Sequence, residues 1–184
     1  MTNNPFDFVL TMENFTNKLQ SVNTFIFDFD GVLSDGKIYV QRDGEQVRAT
    51  NVKDGYALQY ALRKGYNVAV ISGGYAESMR LRYKDFPGME MFLKVKDKTI
   101  MFNDYLQQHN LKPENVLIMG DDIPDYKMML MAGVKCCPAD AAEEIKHISD
   151  YISPRCGGNG AVRDIIEQVL KLHGKWFEED ACLW

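Results

Sequence analysis

The stretch "FDFDGVLSDG", residues 27–36, places Asp28 and Asp30 two positions apart at the end of an apolar run. Side chains two apart on an extended chain point the same way, so both carboxylates can converge on one centre. Close carboxylates repel, and a pair held together calls for a cation; hard oxygen ligands suit Mg²⁺. A turn capped by the two acids, with Gly31 supplying its backbone angle, accounts for this stretch alone equally well. Three further groups change the balance. Ser72 closes "YNVAVIS" and is followed by Gly73 and Gly74, a hydroxyl and bare N–H groups placed as a phosphate cradle needs them. Lys98 opens a helical stretch, where its charge opposes the helix dipole unless an anion meets it. "NVLIMGDD" ends in Gly120, Asp121 and Asp122, with Asp125 one turn on. Each of these has a plainer reading as a cap or a solvated side chain. In conjunction they supply a nucleophile, a metal site and positive charge for phosphoryl transfer, a reaction catalysed mainly by positioning and charge stabilisation.

Strands must deliver these groups. "TFIFDFD", "YNVAVIS" and "NVLIMGD" carry apolar residues at successive positions, as strands covered on both faces do, and "GVKCCP" and "DYIS" read as two more. Helical patterns lie between them over 54–64, 75–85, 97–109, 123–133 and 161–174, with Pro124 early in one and Gly65, Gly133 and Gly174 as stops. The alternation predicts an α/β fold, a doubly wound, mostly parallel sheet flanked by helices, with ligands beyond the carboxyl ends of the strands. "GKIYVQRDGEQVRATN" reads instead as two extended runs around Asp43-Gly44, a β-hairpin projecting from that end over residues 36–50. The expected organisation is a leader over 1–20, one domain over 21–174 and a tail over 175–184.

Composition narrows the partners. A chain of 184 residues suits one domain with a proper core, and its net charge of −5 argues against non-specific nucleic-acid binding. No apolar run approaches the roughly 20 residues of a membrane span, and "MTNNPFDFVLTMENF" lacks a basic n-region. Cys136, Cys137, Cys156 and Cys182 show no CxxC spacing, which points to reduced thiols in a cytoplasm, and His109, His147 and His173 share no motif.

The acidic, hydroxyl and lysine motifs resemble those of the haloacid dehalogenase superfamily of phosphohydrolases. Asp28-Phe29-Asp30-Gly31-Val32 is similar to its first motif, Ser72 to the second, Lys98 to the third, and Gly120-Asp121-Asp122 with Asp125 to the fourth. The resemblance implies a Rossmann-like sheet and a nucleophile, Asp28, that forms an aspartyl-phosphate. It implies that Asp30 protonates the leaving oxygen and then activates water. The implied Mg²⁺ ligands are the Asp28 carboxylate, the Asp30 backbone carbonyl and Asp121, with Asp122 and Asp125 behind them. Ser72 and Lys98 are implied to bind the phosphoryl oxygens, beside Gly73. Only 41 residues separate Asp30 from Ser72 and 25 separate Ser72 from Lys98, so neither gap holds a cap domain. An open site needs cover from water, and a bare hairpin has exposed edges; subunits that pair hairpins solve both problems.

Within the capless group, residues 22–174 resemble the 3-deoxy-D-manno-octulosonate 8-phosphate phosphatases. The resemblance rests on "DFDGVLSDGKIYV", "NVKDGYAL", "VISGG", "GDDIPDY", "PADA" and "GGNGAVRDIIEQVL". It implies a small phosphorylated sugar acid as substrate, a homotetramer built through the hairpins, a glycine-rich C-terminal stretch that reaches a neighbouring site, and substrate contacts from Asn51, Val52, Lys53, Asp54, Gly55 and Arg82. Gly74, Gln59 and Asn159 stand where members of the group carry basic residues. Phosphatases for the 9-phosphates of nine-carbon ulosonic acids share the scaffold, and a broad sugar-phosphate phosphatase is a further reading. A response-regulator receiver fails on the order of its acidic motifs, and a regulatory subunit without turnover fails on the presence of both Asp28 and Asp30.

Overall fold

Six short strands pair in parallel in the order β5-β4-β1-β6-β7-β8. They are β1 (Thr24–Phe27), β4 (Asn67–Ile71), β5 (Met89–Phe92), β6 (Val116–Met119), β7 (Val134–Cys137) and β8 (Tyr151–Ile152). The computed structural model describes residues 14–183. Most of the expected leader lies outside them, and its described part forms a helical stretch, α1 (14–19), that seats Phe15 and Leu19 in the core.

The two-sided burial expected of a parallel sheet is visible residue by residue. Phe25, Phe27, Val68, Val70, Leu117 and Met119 face one helical layer, of α1, α2 (Val52–Arg63), α3 (Glu77–Tyr83) and α7 (Ala161–Leu172). Ile26, Ala69, Ile71, Val116 and Ile118 face the other, of α4 (Lys98–His109), α5 (Tyr126–Met129) and α6 (Glu143–Ile148). The chain builds outward from β1 to β4 and β5, then returns to the other side of β1 to lay down β6, β7 and β8. Such a reversal leaves a crevice beyond the carboxyl ends of the central strands. β1, β4 and β6 run into Asp28, Ser72 and Gly120-Asp121 at that crevice.

Several elements differ from the expectation. β5 and α6 carry no pattern long enough to mark them, with four and six residues. The helix expected over 123–133 is a 3₁₀ turn, Ile123–Asp125, followed by the single helical turn of α5. The hairpin turns at Asp43-Gly44 as expected, with Gly44 at φ 88°, yet β2 (Tyr39–Val40) and β3 (Gln46–Val47) pair over only two residues each. Both strands lie away from the sheet, and Ile38, Tyr39 and Val40 are exposed. The tail has a definite seat: Trp176 packs edge-on against Tyr56 and Tyr60 of α2, and Lys64 holds Glu178 and Asp180 at 2.5 and 2.6 Å.

Asp54 ties α2 to α7. Its carboxylate, 1% exposed, accepts from the backbone N–H groups of Gly160 at 3.1 Å and Arg163 at 2.7 Å, so it serves as the cap that α7 lacks in its own first turn. Asp54→Ala leaves two N–H groups without acceptors and is expected to cost about 1–3 kcal/mol. Urea denaturation measures this directly, and an unchanged midpoint contradicts it.

Candidate active site

The site is assembled around one ammonium group. Lys98 begins α4, behind an N-cap, Asp97, that accepts from Thr99 N–H at 2.9 Å. From there its Nζ reaches Asp28 Oδ1 at 2.8 Å and Asp125 Oδ1 at 2.6 Å, with its side chain 7% exposed. This is the anion that a lysine at a helix start requires. The second Asp125 oxygen accepts from the backbone N–H of Asp121 at 3.1 Å and, more weakly, of Asp122 at 3.5 Å, which fixes the loop after β6. Gly120 is needed there, because a Cβ would lie 2.6 Å from the Asp125 Cβ. Asp122 is exposed and lines the cleft.

Asp28, Asp121 and Asp125 each bring a carboxylate oxygen within 4.8 Å of the others. Asp28 Oδ1 is paired with Lys98, whereas Asp121 Oδ1 is buried with no partner. A partnerless carboxylate oxygen that shares a space with two further carboxylates suits a hard divalent cation, so Mg²⁺ fits. Gly31, at φ 92°, brings the backbone after Asp30 against Asp121: a Cβ there would lie 1.9 Å from Asp121 Oδ2. Of the expected ligand set, the Asp28 and Asp121 carboxylates meet in one place with Asp125 beside them, and the backbone at Gly31 lies against Asp121.

Electrostatics follow from this crowding. Burial pushes the Asp28 carboxyl up to about 6, with the Asp125 charge adding to it and Lys98 opposing. Burial also drives Asp121 up to about 8, reinforced by Asp28, Asp125 and Asp122. Burial works against the charge on Lys98, but the two carboxylates outweigh it and raise its pKa.

Ser72, 2% exposed, ends β4, and its hydroxyl accepts from Gly74 N–H at 3.1 Å. Ser72, Gly73 and Gly74 line a cleft of about 900 Å³ with Asp28, Asp30 and Lys98. Asp30 does not join the carboxylate cluster through its side chain. Past the extended Asp28, the chain turns through a kinked helical turn, Phe29–Leu33, and the Asp30 carboxylate meets Arg48 from the hairpin at 2.9 and 3.0 Å. Arg48 escaped the sequence reading; the one available signal was a basic residue just past a hairpin strand that projects over a carboxylate pair.

Residues 51–55 and Arg82 lie outside the cleft lining. Asn51 caps α2 by accepting from Lys53 N–H at 2.8 Å, and Val52 and Lys53 are exposed. Asp54 and Gly55 are buried, the former in its capping role. Arg82 lies over Tyr83 and Phe86 and donates from Nε to Thr50 Oγ1 at 3.2 Å. Within the chain, the glycine stretch packs against the loop after β1, where Gly158 N–H donates to Val32 O at 2.9 Å, and Gly157 N–H donates to Asp140 Oδ1 at 2.9 Å.

Residues 85–165 match the haloacid dehalogenase-like hydrolase family. The 3-deoxy-D-manno-octulosonate 8-phosphate phosphatase of Salmonella typhi is 36% identical over 158 residues, covering 86% of this chain and 84% of that protein. The chain belongs to this family of haloacid dehalogenase-like phosphatases. Solved members of the family share the fold. The Moraxella catarrhalis phosphatase, crystallised with magnesium ion, phosphate ion and a KDO molecule, aligns with TM-score 0.84 at 30% identity over 88% of this chain and 92% of its own. The Yersinia pestis enzyme aligns with TM-score 0.86 at 29% identity, over 89% and 88%.

The raised carboxyl groups set a direction for stability. Asp28 and Asp121 bind protons more tightly folded than at their ordinary value of 3.8, so without metal the folded state loses stability as pH rises from about 4 through 6 to 8. A divalent cation removes the penalty. In chelator, Tm is expected to fall across that window, and Mg²⁺ is expected to restore it most at pH 8; a Tm indifferent to Mg²⁺ at pH 8 contradicts the metal site.

Proposed function

We propose that this phosphatase is Mg²⁺-dependent and converts 3-deoxy-D-manno-octulosonate 8-phosphate to 3-deoxy-D-manno-octulosonate and phosphate, a step in lipopolysaccharide sugar biosynthesis. The observation that carries the reading is the buried Asp28–Lys98–Asp125 chain beside a partnerless Asp121 oxygen, at the sheet's switch point. The names of the curated relatives support the substrate.

Asp28 attacks phosphorus through its carboxylate, and Lys98 keeps that carboxylate in place and offsets charge on the phosphoryl oxygens. Ser72 and the N–H groups at Gly73 and Gly74 hold the same oxygens. Asp30 gives its proton to the departing sugar oxygen, then takes one from the water that releases phosphate from Asp28. Asp28, the Asp30 carbonyl and Asp121 would hold Mg²⁺, which would supply positive charge against the anionic nucleophile and phosphoryl oxygens.

The exposed Ile38, Tyr39 and Val40 and the two-residue ladder support hairpins that pair between copies, as a homotetramer. In that assembly the exposed Val52 and Lys53, with Asn51 and Arg82 beside them, would contact substrate as the resemblance implies, and the buried Asp54 and Gly55 would hold that segment in place. Four free thiols, the buried Cys136 and Cys137 among them, suit a cytoplasm; no helix among the described residues is long and apolar enough to cross a membrane.

Two measurements test the reading. Asp28→Asn is expected to abolish turnover with the fold retained. A kcat/KM comparison of the octulosonate 8-phosphate, a nine-carbon ulosonate 9-phosphate and a hexose phosphate is expected to favour the first a hundredfold, about 2.7 kcal/mol. Equal rates on all three leave a broad phosphatase and overturn the substrate assignment.

A further inference from the structure

Asp30 lies in the cleft with its side chain 27% exposed, while the Arg48 side chain that grips it is 3% exposed. Nε donates to Asp30 Oδ1 at 2.9 Å and an Nη to Oδ2 at 3.0 Å, the two-pronged geometry that fixes the plane of a carboxylate as well as its distance. The other Nη donates to Gln46 O at 3.3 Å, so the guanidinium is itself anchored to the hairpin backbone. Ser34 Oγ adds a bond to Asp30 Oδ1 at 3.2 Å. Lys98 is committed to Asp28 and Asp125 and plays no part here.

Gly74 completes the arrangement from the opposite side. A Cβ at that position would lie 2.9 Å from Asp30 Oδ2, 3.5 Å from Ser72 Oγ and 3.6 Å from an Arg48 nitrogen. A side chain at residue 74 would press on Asp30 Oδ2, while Arg48 would lie at ordinary contact distance. The cation beside the second phosphate-binding glycine thus comes from the hairpin, 26 residues upstream, rather than from the β4 loop.

We propose that Arg48 is the positioning residue for Asp30, and that Gly74 leaves the room this pairing needs. The assignment rests on the phosphatase reading above and adds to it the group that orients its proton-transferring carboxylate; both Asp30 oxygens accept here, so the oxygen that carries the proton to the leaving group gives up its bond from Arg48 as it does so. Arg48 acts through Asp30 and touches neither nucleophile nor metal site. It also joins the hairpin to the chemistry, because any shift of residues 46–48 moves the carboxylate.

Proton donation matters most when the leaving oxygen is a poor leaving group. A sugar alkoxide needs the proton as its bond to phosphorus breaks, whereas p-nitrophenolate departs without one. Arg48→Met is therefore expected to lower kcat/KM on the octulosonate 8-phosphate roughly tenfold more than on p-nitrophenyl phosphate, as misplacement of a catalytic group does. The inhibition constant of inorganic phosphate stays unchanged. Arg48→Lys, which reaches one oxygen but not both, recovers part of the loss. Gly74→Ala keeps its N–H and the guanidinium but crowds Asp30 Oδ2, and shows the same ester-dependent pattern. Equal losses on both esters, or weaker phosphate inhibition, overturn the assignment and make Arg48 a structural or direct phosphate contact. The two readings fail separately: a wrong phosphatase reading shows as absent wild-type turnover, a wrong Arg48 assignment as an unchanged ester ratio.

Discussion

Much of this molecule follows from the need to keep several aspartates within a few ångströms of one another under cover. The Lys98 ammonium, wedged between Asp28 and Asp125, is the protein's own part of the solution. Removing it leaves buried carboxylates facing each other, a defect worth several kcal/mol in comparable settings. One ammonium cannot neutralise the whole cluster, and the residue is visible in Asp28 and Asp121, both held above their ordinary carboxylate range. A site left this way is one designed around charge that arrives later: a cation between the carboxylates, a phosphoryl group against the lysine. The switch point of the sheet is the place where four chain segments distant in sequence deliver these groups to one crevice.

What was legible in the sequence has a common physical origin. Groups at the ends of strongly apolar strands were readable, because β1, β4 and β6 must bury both faces and so announce their limits. Asp28, Ser72 and Asp121 are found together for that reason. Residues whose position depends on tertiary contact were not readable. Asp54 sits near a helix start and looks available, yet the missing cap of α7 claims both its oxygens. Arg48 lies in a segment with almost no ladder, so no periodicity fixed its direction. The small size of Gly157 and Gly158 brings backbone against the loop after β1, a close approach that no local pattern marks.

The hairpin meets the site through one side chain. It is too short to stand by pairing alone, it exposes Tyr39 and Val40, and it sends Arg48 inward to Asp30. A ribbon of this kind gains definition when its edges are covered. Through Arg48 the position of the hairpin and the orientation of the Asp30 carboxylate are tied together.

A nucleophilic Asp28 would form an acyl phosphate, and an acyl phosphate can be trapped chemically. Enzyme mixed with excess octulosonate 8-phosphate and Mg²⁺, quenched in acid and reduced with borohydride, should carry homoserine in place of aspartate at residue 28, as read by peptide mass spectrometry. Conversion at Asp28 alone is the expected result. Steady turnover with every aspartate unreduced, or reduction at Asp121 instead, would contradict the account at its centre.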